Sequence, residues 1–270
     1  MHQQSVNATN LPLPLFFLKR IPYKIIFGKA VKKSLKIITP SEAVKAEIIE
    51  YYKVDPKKII VTYEGFDTNY MIGKVGSREM EILAKYNLVN KNYFFYVGNA
   101  YPHKNLEAVV KAAVDINIKK NIPCQFVIAG SRDVFMARLK DQINKNKAND
   151  FVKLLGFVSE EELIVIYKNS LGFIYPSLAE GFGLQGLEAI ASGTILLASN
   201  IPVFREIYGS HAFYFNPKDV PSVSSTMFSV LSMKSEDKYK YLATAQEFIK
   251  KYSWQKMAKE TLNVYNSFQL

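Results

Sequence analysis

The feature of this sequence that most constrains its fold is an alternation, from about residue 93 onward, of short apolar runs and amphipathic helical stretches. A strand that is apolar at every position is buried on both faces, which is typical of a parallel sheet covered by helices on both sides. The alternation therefore predicts an α/β fold with a doubly wound parallel sheet, whose ligands bind at the carboxyl ends of the strands. The predicted strands are residues 93–97, 124–129, 151–155, 171–175, 195–198 and 212–215, and the predicted helices between them are residues 106–119, 134–144, 160–168 and 183–192.

Composition narrows the class of protein. The chain has 270 residues, 49% of them hydrophobic, so it can bury one large core or two small ones, and global disorder is excluded. A single cysteine, Cys124, makes no intramolecular disulfide, and we expect it to be a buried, unreactive strand residue in a reducing compartment. Residues 11–18 are too short and too interrupted by prolines to span a bilayer or to act as a signal peptide, which favours a cytoplasmic protein.

The net charge of +11 is concentrated at the front of the chain. Residues 1–41 contain no acidic residue, whereas seven basic residues from Lys19 to Lys36 are interspersed with aromatic ones. Nucleic acid, an anionic membrane surface bound through residues 11–36, or an anionic ligand would each explain this pattern, and a solvated basic helix explains it equally well. Aromatics among lysines suit an interfacial helix and no nucleic-acid motif is visible, so we rank the membrane surface first and expect no nucleic-acid partner.

Local signals outline the front and the end of the chain. Residues 1–10 are polar and are expected to be loose, and residues 68–76, which carry two glycines and little periodicity, have the character of a linker. Ser41 and Ser253 are predicted N-caps, the second for a final helix with one apolar stripe. The other predicted elements at the front are residues 21–33 (helix), 36–39 (strand), 42–52 (helix) and 58–63 (strand).

A glycine loop after the predicted strand at 171–175 is the strongest candidate for a ligand site. Glycines let the backbone approach a ligand closely, and the helix that follows points its unpaired N–H groups and positive dipole end back into the loop. Two carboxylates bracket this anion site: Glu180 on the loop and Glu188 within the helix. Glu188 shares a helical face with apolar residues, so we expect it to turn inward, where its charge needs a partner. The alternative is a surface acid near a helix start.

Three other strand ends add groups that suit a nucleotide. Lys104 lies in the first turn after the strand at 93–97, where it would supply a positive charge to a phosphate. The strand at 124–129 is followed by Gly130 and Ser131. After residues 151–155, Phe157 and Val158 offer an apolar edge to a flat base.

Competing motifs point to other chemistries. Gly181, Gly183 and Gly186 match the dinucleotide fingerprint G-x-G-x-x-G, and Glu206 follows 20 residues later, which keeps an NAD-dependent oxidoreductase as an alternative. The context is unusual, because that fingerprint belongs in the first βα turn of a sheet. Glu180 and Glu188 also suggest a glycosidase pair, although sequence spacing does not give the distance between two carboxylates.

Other common centres are absent from the sequence. It has no G-x-S-x-G segment, no Asp-x-Asp segment, and its three histidines are too scattered for a zinc site, so no metal is predicted.

The segment PSLAEGFGLQGLEAIASG (residues 176–193) resembles the Glu-x7-Glu signature of family-4 glycosyltransferases, which have the GT-B fold. Further segments are similar to that family and stand in the family's order, so that the resemblance covers the chain from about residue 36 to its end. These segments are SEAVKAEIIEYYKVDPKKIIVTYEGFD (41–67), YVGNAYPHKNLEAVVKA (96–112), FVIAGS (126–131), LLGFVSEEEL (154–163), SNIPVFREIYGS (199–210), FNP (215–217) and YSWQKMAKETLNVY (252–265).

The resemblance implies a retaining glycosyltransferase that needs no metal or other cofactor and transfers a sugar from a nucleotide donor to a saccharide or lipid-linked acceptor. It implies that Glu180 lies beside the donor sugar, that Glu188 binds the ribose hydroxyls, and that Lys104 meets the diphosphate. The PHKN loop resembles mannosyltransferases that use GDP-mannose. The positions implied to bind the donor are Gly98, Asn99, His103, Gly130, Ser131, Phe157, Val158, Ser177, Gly181, Phe182, Gly183, Leu184 and Glu188, with Glu180 and Lys104 as catalytic groups.

The sequence departs from the family's pattern in two ways. The family usually has an arginine near Asn99, and that second cation is missing here. A GT-B enzyme also has a full N-terminal acceptor domain, of which only the last elements are present, so apolar faces should be left uncovered. We therefore divide the chain into an acceptor-domain remnant with linker (1–70), a donor domain (71–251) and a closing helix that packs back toward the front (252–270). A non-catalytic nucleotide-sugar-binding fragment, or one half of a split enzyme with a complementary N-terminal half, is the alternative to an active enzyme.

Overall fold

A computed structural model describes residues 13–72, 78–119, 121–131 and 133–268 of the chain. Its centre is a six-stranded parallel sheet with the strand order β5-β4-β3-β6-β7-β8, and a second parallel pair, β1-β2, precedes it in the chain. The strands are β1 (Ile37–Thr39), β2 (Ile59–Val61), β3 (Tyr93–Val97), β4 (Gln125–Ala129), β5 (Val152–Gly156), β6 (Gly172–Tyr175), β7 (Leu196–Ser199) and β8 (Phe213–Phe215). The helices are α1 (Leu13–Lys33), α2 (Glu42–Tyr52), α3 (Asn69–Ile72), α4 (Glu79–Lys85), α5 (Leu106–Val114), α6 (Val134–Lys145), α7 (Glu160–Lys168), α8 (Leu184–Ala191), α9 (Pro202–Tyr208), α10 (Val220–Leu231), α11 (Ser235–Ile249) and α12 (Trp254–Asn266).

The strand order confirms the predicted doubly wound sheet and shows where its crevice lies. From β3 the chain adds β4 and β5 on one side, and it then returns to place β6 on the other side of β3. Ligands of such sheets bind at the carboxyl ends of the strands where this reversal occurs. The loops that follow β3 and β6 are the ones that contain Lys104 and Glu180, so the topology brings both predicted catalytic residues to the same crevice.

The central strands are buried along nearly their whole length, as their apolar sequences predict. Phe94, Phe95 and Tyr96 on β3 have no exposed surface, and neither have Leu197 and Ala198 on β7. Helices on both faces exclude water from the sheet, so each buried phenylalanine and leucine side chain adds about 1.5–3 kcal/mol of transfer free energy to folding. Cys124 lies directly before β4 rather than within it, and burial beside Asn117 raises the pKa of its thiol to about 11, as expected of an unreactive cysteine.

Local sequence signals account for the ends of several helices. Ser41 and Ser253 cap α2 and α12, each accepting a bond from the main-chain N–H three residues later. Ser159 and Glu162 form a reciprocal capping box at the start of α7. These three helices begin where the sequence predicts.

Two predictions for the front of the chain are wrong in detail. Helix α1 begins at Leu13 rather than at residue 21, because Pro14 lies in its first turn, where no N–H is needed, and Pro22 is accommodated inside it. The predicted linker at 68–76 begins with α3, on which Tyr70 is only 4% exposed and packs into the core. Residues 73–76 of that segment, and the predicted loose residues 1–10, lie outside the described residues.

Further departures lie in the second half. The predicted helix at 106–119 ends as α5 at Val114 and continues as a π-helical turn over Asp115–Lys119. Helices α4, α9, α10 and α11 are additional to the predicted elements.

The front segment (residues 37–67) is fastened to the large sheet's helices by polar and aromatic contacts. Both carboxylate oxygens of Glu206 on α9 accept main-chain N–H groups at the start of α2, from Glu42 at 2.7 Å and from Ala43 at 2.8 Å. The ring of Tyr63 meets Tyr252 edge-on, with centroids 5.8 Å apart. Direct contacts therefore join the front segment to the helices of the large sheet.

Apolar side chains remain uncovered on α1 and α12. Leu18, Ile21 and Ile26 on α1 are exposed by 61% to 68%, and Leu262 and Tyr265 on α12 by 56% and 65%. Within the described part of the chain, no helix combines the length and the apolar character that a membrane-spanning segment requires.

Candidate active site

The floor of the crevice is main chain. Strands β3 and β4 are each followed directly by a glycine and β5 ends in one. The N–H of Gly98 donates to the carbonyl of Ala129, and the N–H of Gly130 donates to that of Gly156. A Cβ atom added to Gly130 would lie 2.2 Å from the carbonyl oxygen of Gly98. Side chains are therefore excluded here by the approach of the strands themselves, and main-chain groups face the crevice.

Lys104 and Glu180 meet across the crevice. Lys104 ends a short 3-10 helix (Pro102–Lys104), and its Nζ lies 2.5 Å from Oε1 of Glu180. The hydroxyl of Ser177, which is fully buried, donates to the same Oε1 at 2.7 Å. The main chain joins the two loops as well, because the N–H of Leu178 donates to the carbonyl of His103 at 2.7 Å. Ammonium, carboxylate and hydroxyl thus form one preorganised polar group.

The glycine loop contains glycines of two kinds. Gly183 has φ 110°, and a Cβ atom added there or at Gly186 would lie 2.2 or 2.3 Å from the hydroxyl of Tyr208, which itself donates to the carbonyl of Gly183. These two glycines make room for a tyrosine. At Gly181 an added Cβ would only touch Pro40 at an ordinary 3.7 Å, so packing does not require glycine at that position.

Helix α8 begins directly after this loop without a side-chain cap. Its N-cap residue, Gly183, has no side chain to accept the first N–H groups. The N-terminus of α8 therefore retains main-chain donors and the positive end of its dipole at the crevice.

Glu188 turns inward on α8, as the helical pattern predicts. Its carboxylate Oε2 lies 3.4 Å from the hydroxyl of Tyr167. Burial raises the pKa of Glu188 to about 7; the bond from Tyr167 lowers it, and the charges of Glu160 and Asp67 raise it further. A pKa raised this far is unusual for a glutamate and makes Glu188 a candidate for a functional position.

The loop after β5 presents one large ring to solvent. Phe157 is 82% exposed, whereas the neighbouring Val158 is only 7% exposed. An exposed phenylalanine at the carboxyl edge of a sheet has no structural role in the free protein, and its face is available for stacking on a planar ligand. Ser131, at the end of β4, is exposed as well.

Some predicted site residues have their side chains engaged elsewhere. Phe182 is 3% exposed and packs edge-on against Tyr252, with centroids 5.5 Å apart, so only its main chain is available to a ligand. The amide oxygen of Asn99 accepts from the main chain of Tyr101 at 3.3 Å, and its carbonyl accepts from Tyr96. Asn99 therefore shapes the loop after β3.

The acid that the dinucleotide motif requires, Glu206, is not available to a ligand in the structure. Glu206 caps α2, as described above, and both of its oxygens are used by main-chain N–H groups. Gly183 and Gly186 are explained by Tyr208. Packing thus accounts for two of the three glycines in the literal G-x-G-x-x-G match, and the NAD-type ribose contact at Glu206 has no free carboxylate.

Two contacts at the site have no signal in the sequence. Tyr167 lies 21 positions before Glu188, on the apolar helix α7, where the sequence predicts only a buried core residue. Tyr175, at the end of β6, places its ring 5.7 Å from Nζ of Lys104 and donates to the side chain of Gln185 at 2.6 Å. Both depend on the packing of separate elements.

Comparison with known proteins identifies a family. Residues 79–248 match the family described as glycosyl transferases group 1. The chain is 31% identical, over 80% of its length, to O-antigen chain mannosyltransferase RfbU of Salmonella typhimurium, and 27% identical, over 85%, to O-antigen chain mannosyltransferase B of Escherichia coli. It spans 57% and 60% of the lengths of these two relatives.

Solved structures share the fold at lower identity. The chain superposes on a glycosyltransferase from Rickettsia africae with a TM-score of 0.75 and 22% identity, covering 96% of this chain and 68% of that one. On Anabaena Alr3699/HepE in complex with UDP and glucose, the TM-score is 0.78 at 16% identity, covering 97% and 70%. These likenesses agree with the predicted GT-B architecture.

Proposed function

The chain belongs to the glycosyl transferase group 1 family, and on this premise we propose that it binds a nucleoside diphosphate sugar and transfers the sugar, with retention of configuration, to a saccharide or lipid-linked acceptor. The observation that carries the proposal is the polar group of Lys104, Glu180 and Ser177. Ser177 and Glu180 belong to the loop that leads into the uncapped N-terminus of α8, and Lys104 reaches them from the loop after β3. An ammonium group and free main-chain N–H groups are what a departing diphosphate requires.

The chemistry proposed for this group is stabilisation of the leaving diphosphate. As the bond between the sugar and the phosphate breaks, negative charge accumulates on the phosphate oxygens, and Lys104 and the amides of residues 181–184 neutralise it. The sugar meanwhile gains positive charge at its anomeric carbon, and the carboxylate of Glu180, which lies beside the donor sugar, stabilises that charge. Because these residues supply the positive charge themselves, we propose that transfer needs no metal or other cofactor.

Glu188 and Phe157 are proposed to hold the nucleoside. An ionised carboxylate can accept hydrogen bonds from two neighbouring ribose hydroxyls. Glu188, which turns inward on α8, supplies such a carboxylate. The exposed ring of Phe157 offers a stacking face for the base, with the main chain of Val158 beside it. The other proposed donor contacts come from Gly98, Asn99, His103, Gly130, Ser131, Gly181, Phe182, Gly183 and Leu184.

The similarity to two O-antigen chain mannosyltransferases supports mannose as the transferred sugar and GDP-mannose as the donor. On the same ground we propose a role in polysaccharide assembly at the cytoplasmic face of a membrane. The exposed apolar residues of α1, together with the lysines on that helix, suit an anionic membrane surface. The proposed localisation is thus cytoplasmic and peripheral to the inner face.

A non-catalytic binding module, or one half of a split enzyme, is the second candidate. The two-stranded β1-β2 pair and the uncovered faces of α1 and α12 favour it, because parallel sheets are normally larger and covered on both faces. A complementary N-terminal half is the proposed partner in that case.

Donor hydrolysis by the purified chain separates the candidates. GDP-mannose and UDP-glucose are incubated with the protein in the presence of EDTA, and release of the nucleoside diphosphate is measured alongside binding by calorimetry. Turnover that requires Glu180 supports the enzyme, whereas tight binding without turnover supports the binding module. An absence of binding to either nucleotide would overturn both.

A further inference from the structure

The hydroxyl of Tyr167 is buried between the first turn of α8 and the carboxylate of Glu188. It lies 3.4 Å from Oε2 of Glu188 and 3.4 Å from the main-chain oxygen of Gln185. A phenol has a single proton to donate, so these two oxygens compete for it. An ionised acceptor forms the stronger bond, and the carboxylate of Glu188 therefore prevails over the carbonyl whenever it is charged.

The position of this hydroxyl is fixed from all sides. The main-chain oxygen of Tyr167 accepts bonds from the hydroxyls of Ser170 at 2.8 Å and Thr194 at 2.5 Å, so the residue is anchored at its backbone. Its ring has no exposed surface, which leaves no alternative rotamer without repacking the core. Three aromatic rings meet it edge-on, with centroids 5.1 to 6.0 Å away: Phe95, Phe173 and Tyr70.

Tyr167 also opposes the other influences on Glu188. Burial raises the pKa of Glu188, and the carboxylates of Glu160 and Asp67 raise it further, whereas the bond from Tyr167 lowers it. Without this hydroxyl, the buried carboxyl would retain its proton to a higher pH.

We propose that Tyr167 is a positioning residue that turns the Glu188 carboxylate to accept the ribose hydroxyls of the donor and favours its ionised form. Because Oε2 is held from the protein side, Oε1 and the remaining lone pairs are left for the ligand. The inference rests on the proposed function, since it concerns how one residue of that site is held. The effect of Tyr167 is exerted through Glu188, without contact with the reacting atoms.

The test removes one oxygen atom and follows nucleotide binding with pH. Tyr167→Phe is compared with the wild type and with Tyr93→Phe, a matched control whose buried hydroxyl donates to the carbonyl of Ile166 at 2.8 Å. GDP and UDP binding are measured by calorimetry from pH 6 to pH 9. For Tyr167→Phe we expect about fivefold weaker binding at pH 7 and a midpoint raised by about one pH unit, with near wild-type affinity at pH 9. Tyr93→Phe should keep the wild-type midpoint.

A measurement without nucleotide keeps the test independent of the donor. Thermal unfolding is recorded for Tyr167→Phe, Glu188→Gln and the double variant at pH 5.5 and pH 8.5. The destabilisation caused by Tyr167→Phe should be larger at pH 8.5 when Glu188 is present, and the same at both pH values in the Glu188→Gln background.

The outcomes are distinguishable. If the wild type binds nucleotide with a pH midpoint that Tyr167→Phe leaves unchanged, the positioning role is overturned and the proposed function stands. A wild type that binds neither GDP nor UDP overturns the proposed function. In that case a pH-dependent coupling between Tyr167 and Glu188 in the unfolding cycle still supports the contact, and its absence rejects it.

Discussion

The Nζ atom of Lys104 lies 2.5 Å from Oε1 of Glu180, and only 12% and 13% of the two side chains are exposed. In the ligand-free protein, the ammonium group proposed to meet a diphosphate is already paired with the carboxylate proposed to lie beside the sugar. An incoming diphosphate must therefore share Lys104 with Glu180, and the two proposed roles are coupled through one cation.

Glu180→Gln should separate turnover from affinity. The neutral side chain releases Lys104, so we expect nucleoside diphosphates to bind as tightly as to the wild type or a few-fold more tightly, while kcat falls by about 100-fold or more. Transfer or hydrolysis assays, combined with calorimetry, measure both quantities. Glu236→Gln is the matched control, because it removes the same charge from an exposed pair with Lys240 at 2.6 Å. A loss of affinity in Glu180→Gln with kcat preserved would contradict the assignment.

Glu188→Gln should stabilise the ligand-free protein at alkaline pH. The folded pKa of Glu188, about 7, exceeds its ordinary value of 4.5, so the native state retains a proton that the unfolded state has released between these pH values. The contribution of this group to stability is therefore present below about pH 4.5 and is lost as pH rises through 7. At pH 8.5 we expect Glu188→Gln to raise the Tm by about 3 °C, with no gain at pH 4.5. A Tm difference that is independent of pH would argue against a buried, titrating Glu188.

Phe157→Ala should weaken nucleotide binding and leave folding unchanged. The ring is 82% exposed, so its removal takes little packing from the free protein, whereas stacking on a base contributes about 1–3 kcal/mol, or roughly 5- to 150-fold in Kd. Tyr239→Ala is the control, because Tyr239 is 76% exposed and lies on α11. Calorimetry with GDP and UDP measures the Kd of each variant, and the Tm shows whether folding is unchanged. Equal affinities for Phe157→Ala and Tyr239→Ala would remove Phe157 from the base site.

Glu206→Ala should destabilise the protein without changing nucleotide affinity. The carboxylate caps α2 with bonds of 2.7 and 2.8 Å, and its loss should cost about 1–3 kcal/mol of unfolding free energy. Glu206→Gln keeps one acceptor oxygen, so its unfolding free energy should lie between those of the wild type and Glu206→Ala. Glu107→Ala, which breaks only an exposed pair with Lys111, serves as the control. A Glu206→Ala variant of wild-type stability that no longer binds nucleotide would restore the dinucleotide interpretation.

The sequence predicts those parts of the fold that depend on short-range patterns. The strand at Tyr93–Val97 and the helix at Glu160–Lys168 lie where their apolar periodicity places them, and Ser41 caps α2 as its local sequence indicates. Each of these is decided within about ten residues, by side-chain burial or by one capping bond.

The site is predicted less completely, because its contacts join distant segments. Glu188 turns inward as its helical face requires, yet the partner that holds it, Tyr167, comes from another helix and has no distinguishing pattern. The sequence predicts a ligand loop from the glycines at 183 and 186, and only the structure shows that the hydroxyl of Tyr208 leaves no room for a Cβ atom at either position. Burial can be inferred from periodicity, whereas the identity of a neighbour across the core requires the packed structure.

The hydroxyl of Ser41 accepts the N–H of Val44 at 3.2 Å and donates to the carbonyl of Gly181 at 2.8 Å. This one oxygen atom therefore bonds both the N-terminus of α2 and the glycine loop, across the boundary (the seam) between residues 37–67 and the large sheet. Any hinge rotation that swings residues 37–67 away from the large sheet must break the bond to Gly181 and leave that carbonyl to water. Opening of the seam and the conformation of the loop are thus linked mechanically, with a strength of about one hydrogen bond, roughly 1 kcal/mol.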